Sequence, residues 1–279
     1  MDTLMSYIFW DPSPYVFDFN LPLLNRPILW YGFFFALGFF LAYLVLLNLL
    51  RKEFSSIEAK RLTEKLTLYV VVGTVLGARL GDLFFYQDWQ TLLHNPSLVF
   101  RIWEGGLASH GGAAGILIAL CLFVKKEKKI GLLPLIDRIA LCSGVVAGCI
   151  RLGNFVNQEL LGIPTTLPWG VIFGHPADGS LPTPRHPVQL YESVFYFFLF
   201  FLLKFLWKNY PKLHLPGKIS GIFILLVFGF RFFVEFIKEE ASPYLPLHAP
   251  LDMAQYLSVP FIALGIFLLV WKRKKAIKK

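Results

Sequence analysis

Seven apolar blocks alternate with polar segments along the chain, at 27–50, 66–86, 107–124, 132–154, 187–207, 219–237 and 251–271. A helix that crosses a bilayer needs roughly 20 mostly apolar residues, so the pattern predicts seven transmembrane helices. No polar linker divides the blocks, and the 279 residues read as a single all-α polytopic membrane domain. Residues 1–26 do not read as a signal peptide. Asp2 stands where a basic region belongs, and Asp11, Pro12 and Pro14 break any apolar stretch. Trp10, Tyr15, Phe17 and Phe19 alternate there with polar groups, which predicts an interfacial arm lying at the membrane surface. Residues 160–186 are rich in Pro, Gly and Thr and contain no span; they predict a small external cap, with a short strand within 167–173.

Charge orients this pattern. The segments 51–65, 125–129, 204–218 and 272–279 hold 19 of the 27 Lys and Arg. With seven spans all four fall on one side, and the positive-inside rule makes that side cytoplasmic. The N-terminus is then external and 272–279 a basic cytoplasmic tail. Trp10, Trp30, Trp89, Trp103 and Trp169 line the outer interface, with Trp207 and Trp271 at the inner one. The net charge of +9 therefore belongs to loop topology and not to a nucleic-acid surface. Only 16% of residues are charged, well below the ~25% of soluble domains. Cys121, Cys142 and Cys149 all lie within apolar blocks, as reduced structural thiols do. Neither they nor the six scattered His have metal-ligand spacing, and no cofactor motif is present.

The embedded polar groups fall mostly at outer-leaflet depth in this topology. Tyr31 opens the first span, Arg79 and Asp82 close the second, and His110 opens the third. Arg151, Asn154, Asn157 and Glu159 close the fourth. His186, Gln189, Tyr191 and Glu192 open the fifth, and Arg231 and Glu235 close the sixth. Ionisable groups inside a membrane are costly and mark functional sites. The spacing of Arg151, Asn154 and Gln158 puts them on one face if the helix continues, whereas Arg231 and Glu235, four apart, fit either a site or a salt bridge. Two arginines without full carboxylate compensation suggest an anion, and the common anion at this depth is a phospholipid head group. His110, between Ser109 and Gly111-Gly112, suits either a general base near neutral pH or a helix cap. Asp137 and Arg138 lie nearer the cytoplasm, with a structural role the simpler reading. These features fit a lipid-modifying enzyme, an anion transporter or a lipid-binding structural protein. A transporter would need a polar path toward the cytoplasm and internal repeats, and neither is visible.

The stretch Arg151-Leu152-Gly153-Asn154-Phe155-Val156-Asn157-Gln158-Glu159-Leu160-Leu161-Gly162 resembles the signature of the bacterial prolipoprotein diacylglyceryl transferases, G-R-x-G-N-F-x-N-x-E-x-x-G. Further blocks agree in order: Trp30-Tyr31-Gly32, Gly77-Ala78-Arg79-Leu80-Gly81, His110-Gly111-Gly112, Leu167-Pro168-Trp169, Arg185 to Glu192, Arg231 to Phe236 and Gln255 to Pro260. Departures are Ile150 in place of the first signature Gly, Asp82 at a place often aromatic, Ala113-Ala114, and Lys238-Glu239-Glu240 in place of a basic residue followed by Pro-Asp. The resemblance implies transfer of the diacylglyceryl group of phosphatidylglycerol to the lipobox cysteine of preprolipoproteins, with glycerol 1-phosphate released, as the first step of lipoprotein maturation. It implies a bacterial inner-membrane enzyme that needs no metal or cofactor; the topology above puts its site at the outer leaflet, and a monomer is expected. His110, Arg151 and Arg231 are then the catalytic residues; Arg151, Asn154, Tyr31, Glu159, Gly162 and Glu235 bind substrate.

Overall fold

A computed structural model of the chain describes residues 7–17, 27–87, 94–100, 108–239 and 250–271. Residues 1–6 and 18–26 of the arm, Trp89, Trp103 and the tail 272–279 lie outside the described residues. The architecture is all-α apart from one small sheet. In chain order the main elements are β1 (Ile8–Trp10), α1 (Trp30–Leu50), α2 (Ser56–Phe85), α3 (Ser109–Glu127), α4 (Leu132–Val156), β2 (Val171–Phe173), β3 (Pro184–Arg185), α5 (Val188–Asn209), α6 (Lys218–Val234) and α7 (Met253–Val270).

Among the described residues, six helices are long and apolar enough to cross a membrane: α1, α2, α4, α5, α6 with its 3-10 extension to Ile237, and α7. The third of the seven expected spans is α3, a helix of 19 residues. Ser109, His110, Gly111 and Gly112 at its start and Lys125, Lys126 and Glu127 at its end dilute its apolar content. The second helix starts ten residues before the expected span. Ser55 caps it by accepting from the Glu58 N–H at 3.4 Å, and its 30 residues run about 45 Å at 1.5 Å per residue. Lys60, Arg61 and Lys65, expected in a loop, therefore lie on its first turns. Arg61 bridges Glu58 at 2.9 Å and Glu127 at 2.6 Å, and Lys65 also pairs with Glu127.

The chain forms two compact units, one of Met1–Ala42 with Ile139–Lys279, the other Tyr43–Arg138. The second unit is built on the crossing of α2 and α3. A Cβ on Gly81 would lie 2.7 Å from Gly111 Cα, one on Gly77 2.8 Å from Gly115 Cα, and one on Gly73 2.8 Å from Ala119 Cβ. Small residues thus let the two backbones touch, as membrane helices require when lipid supplies no hydrophobic drive. Arg138 closes this unit by pairing with Glu53 at 2.5 Å and donating to Pro134 O, which is the structural role its position suggests.

In the first unit, α6 and α7 cross at Gly221 and Gly265, where a Cβ on Gly221 would meet Gly265 O at 3.1 Å. Phe228 stacks on Phe261 at 4.3 Å beside that crossing. Helix α5 joins through Phe195, stacked on Phe230 at 3.9 Å, and through the Ser193 hydroxyl, which donates to Gly148 O of α4 at 3.0 Å. The sides of α5 are inverted relative to a water-soluble helix: Gln189, Glu192 and Ser193 are buried, whereas Val194, Phe198, Phe201 and Phe205 are exposed. Large exposed apolar surface of this kind fits a lipid environment.

The cap carries the sheet, in which β1 runs parallel to β2 and β2 antiparallel to β3. Part of the expected surface arm is therefore a strand of the cap. Trp10 stacks on Phe155 at 4.7 Å and donates from Nε1 to Phe155 O at 3.1 Å. With Leu161, Val171 and Phe173 these rings form a small core at the end of α4, where the polar signature begins.

Candidate active site

Helix α4 ends at Val156, so only part of the signature is helical. Arg151 and Asn154, three residues apart, meet as their spacing predicts: Arg151 Nη1 donates to Asn154 Oδ1 at 3.2 Å. Asn154 Nδ2 donates in turn to Glu159 Oε2 at 2.9 Å, and Asn157 Nδ2 to Glu159 Oε1 at 3.1 Å. One carboxylate thus gathers both signature asparagines. The reach across five residues is possible because Gln158 and Leu160, on either side of Glu159, adopt φ of 55°. These left-handed residues fold the chain back after the helix. Gln189 Nε2 fastens the turn by donating to Glu159 O at 2.6 Å.

Gln158 does not share the face of Arg151 and Asn154, because the helix does not continue. Its side chain serves the cap instead, donating to Asp11 Oδ1 at 3.1 Å and accepting from His175 N at 2.7 Å. His175 Nδ1 lies 2.6 Å from the same Asp11 oxygen. Hydrogen bonding with His175 first, and with Gln158 next, holds the Asp11 carboxyl below its ordinary value.

Arg151 has a carboxylate partner that sequence spacing did not reveal. Its Nε lies 2.9 Å from Glu192 Oε2 on the first turns of α5, and Glu192 is 2% exposed. The other oxygen of Glu192 lies 3.5 Å from Lys238 Nζ, which also stands 3.8 Å from Glu235 Oε2. The expected Arg151 site is thus a cluster of half-buried Arg151 with buried Glu192 and Lys238, linking α4, α5 and the segment that follows α6. Glu235 pairs in it with Lys238, three residues along. Arg231 lies within electrostatic reach of Tyr196, as do Arg151 and Glu192. Its Nε is buried without a hydrogen-bond partner among the described residues.

Tyr31 belongs to the same region. It lies within electrostatic reach of Glu159 and Arg151. Gly153 permits the approach, since a Cβ there would sit 3.2 Å from both Tyr31 Cα and its ring. Gly162 sits where two chain segments cross. A Cβ on it would stand 2.5 Å from His186 O and 3.0 Å from Ile237 O. Gly162 O accepts from Arg185 Nη1 at 3.2 Å, and Gly162 forms a β-bridge with Lys238. These contacts make Gly162 a packing point that seats Lys238.

His110 and Arg79 belong to the other unit. His110 is exposed in the first turn of α3, with its ring 5.1 Å from Phe85 and 5.8 Å from Tyr86. Arg79 is buried, lies 3.6 Å from Asp82 and donates to Leu98 O. Asp82, a departure from the family pattern, thereby supplies a charge partner for Arg79. Asp82 also accepts from Gln87 Nε2 at 3.2 Å. No group of three or more metal-ligating side chains occurs among the described residues.

The sequence model of the prolipoprotein diacylglyceryl transferases matches residues 19–271. This chain belongs to that family. A relative named phosphatidylglycerol–prolipoprotein diacylglyceryl transferase, from Protochlamydia amoebophila, is 45% identical over 217 residues, covering 76% of this chain and 57% of the relative. Proteins of the same name from Chloroherpeton thalassium and Porphyromonas gingivalis are 42% and 40% identical, over 99% and 96% of this chain and 98% and 95% of their own lengths. The family is one of transferases, so the polar cluster at Arg151 is a candidate for chemistry and not only for lipid anchoring.

Proposed function

We propose that the chain transfers the diacylglyceryl group of phosphatidylglycerol to the lipobox cysteine thiol of preprolipoproteins, releasing glycerol 1-phosphate. The observation that carries the reading is the half-buried Arg151 held by buried Glu192 and Lys238, inside a family whose members are named for phosphatidylglycerol. In the reaction the cysteine sulfur forms a thioether with the terminal glyceryl carbon, and the bond from that carbon to the phosphate oxygen breaks. The thiol proton leaves to a base, for which His110 is the proposed group; a free thiol near pKa 8.5 is mostly protonated at neutral pH. The phosphate gains a unit of negative charge as it departs. Arg151 and Arg231 bind that charge, and Arg151 is kept in place by Glu192 and Asn154. Glu159 orients Asn154, whereas Tyr31 contacts the head group or the incoming peptide. Gly162 and Glu235 act through Lys238.

Loop charge supports seven spans, α3 among them, with the N-terminus outside, the basic tail in the cytoplasm and the reaction at the outer leaflet of the bacterial inner membrane. The protein acts as a monomer in this reading. The deciding experiment incubates purified protein with phosphatidylglycerol and a lipobox peptide and follows the peptide by mass. A diacylglyceryl adduct on the cysteine is expected; a folded sample that leaves the peptide unmodified across lipid compositions refutes the assignment.

A further inference from the structure

The two signature asparagines share one carboxylate but end differently. Asn154 Nδ2 donates to Glu159 Oε2 at 2.9 Å, and its Oδ1 accepts from Arg151 Nη1 at 3.2 Å. Asn157 Nδ2 donates to Glu159 Oε1 at 3.1 Å, yet its Oδ1 is buried and has no hydrogen-bond partner among the described residues. Gln189 repeats this at the backbone of the same residue. Its Nε2 donates to Glu159 O at 2.6 Å, and its Oε1 is a second buried acceptor without a partner among the described residues. Gln189 is 0% exposed. Neither amide can be turned round to cure this. A carboxylate and a carbonyl only accept, so each NH2 group must face Glu159 and each amide oxygen must point away from it. Buried oxygens in folded proteins are normally paired. Two acceptors tied to one residue of the signature are left for a ligand that brings hydroxyl donors.

We propose that Asn157 and Gln189 select the lipid head group, their Oδ1 and Oε1 accepting hydrogen bonds from the two hydroxyls of the terminal glycerol of phosphatidylglycerol. The inference rests on the transfer reaction proposed above. Two acceptors match the two donors that this diol carries on neighbouring carbons, whereas an ethanolamine head group carries all its donors on one nitrogen. Glu159 and Asn154 connect these acceptors to Arg151, the residue assigned to the phosphate of the same head group. A lipid without the hydroxyls would leave both oxygens desolvated and unpaired, which is how a buried polar site rejects an analogue. The diol departs with the phosphate and none of its own bonds changes. Its contacts therefore act on the lipid KM and not on kcat.

Lipid binding tests this without any transfer. Purified protein in phosphatidylcholine nanodiscs is titrated with phosphatidylglycerol or with phosphatidylpropanol, which lacks both hydroxyls. Wild type should bind phosphatidylglycerol about 10- to 100-fold more tightly, the range of two neutral hydrogen bonds. Asn157→Leu and Gln189→Met should each lose roughly tenfold of that preference; a mere displacement of Glu159 would weaken both lipids alike. Preference kept in full by both variants overturns the proposal, as does equal binding of the two lipids by wild type. If the variants melt early, wild type alone decides. Phosphatidylglycerol with both hydroxyls methylated keeps its oxygens but donates nothing, and it should bind no better than phosphatidylpropanol; binding as tight as that of the parent lipid is again the overturning result. With a lipobox peptide added, both variants should raise the lipid KM, and a loss confined to kcat would mean that they only position Glu159. Wild type that binds selectively but transfers nothing sinks the reaction and leaves the head-group site standing.

Discussion

Glu192 places one carboxylate oxygen 2.9 Å from Arg151 Nε and the other 3.5 Å from Lys238 Nζ. A single acid thereby holds two cations from different elements. Removing one partner of a buried pair strands the other, at about 3 kcal/mol. Glu192→Ala should lower unfolding stability by roughly that amount and abolish most transfer, and Glu192→Gln should retain more of both. Chemical unfolding in detergent, with the mass assay alongside, checks the order wild type, Gln, Ala.

His110 is exposed, and its ring contacts are with Phe85 and Tyr86. His110→Ala should therefore leave the melting temperature close to wild type. Loss of a general base costs about 10²- to 10⁴-fold, so transfer should fall by that factor. A variant with near-normal turnover would take His110 out of the mechanism.

At the crossing of α2 and α3 the atoms that a new side chain would meet are backbone, 2.8 Å from Gly77 and 2.7 Å from Gly81. Backbone cannot rotate out of the way. Gly77→Val or Gly81→Val should cost about 1–3 kcal/mol by overpacking, whereas Gly32→Ala, with open space around it, should be tolerated. Thermal melting of the three variants tests the contrast.

Lys218, at the start of α6, donates from Nζ to three carbonyls at the end of α7: Leu268 at 3.2 Å, Leu269 at 2.5 Å and Trp271 at 3.1 Å. The ammonium answers both the unsatisfied carbonyls and the negative end of the helix dipole. Lys218→Met keeps the stem and loses the charge. It should destabilise by about 1.5 kcal/mol and raise hydrogen exchange in the last turn of α7.

The Asp11 carboxyl is held below its ordinary value by its hydrogen bonds with His175 and Gln158. A lowered carboxylate pKa contributes stability that is present above the unfolded value and is lost as pH falls through the folded one. Asp11→Asn should thus loosen the strand Ile8–Trp10 at neutral pH. Its difference from wild type should shrink as pH falls below the ordinary carboxylate value and vanish beneath the lowered one. Hydrogen exchange of that strand against pH is the check.

Apolar block length located most of the helices, and spacing within α4 foretold the contact of Arg151 with Asn154. Local periodicity failed where the chain leaves the helix. Continuing the α4 period puts Gln158 on the arginine face, but Val156 ends that period. Glu192 stands out as a charged residue at a span start and Lys238 only as part of a departure from the family pattern, but their link to Arg151 crosses 41 and 87 positions, beyond any local spacing rule. Gly162 drew attention for its place in the motif, yet its need for hydrogen in place of a side chain comes from Ile237 and His186, both distant in sequence.

The two left-handed residues around Glu159 have a consequence for how this segment can change. Each costs about 1–2 kcal/mol for a residue with a Cβ, and Gln158 and Leu160 both bear it at φ 55°. Glycine at position 160 would relieve its share while keeping the path of the chain. An inserted or deleted residue between Val156 and Leu161 would instead turn the Glu159 carboxylate away from both asparagines and shift Gly162 off its crossing. The segment should therefore accept exchanges of side chain much more readily than changes of length.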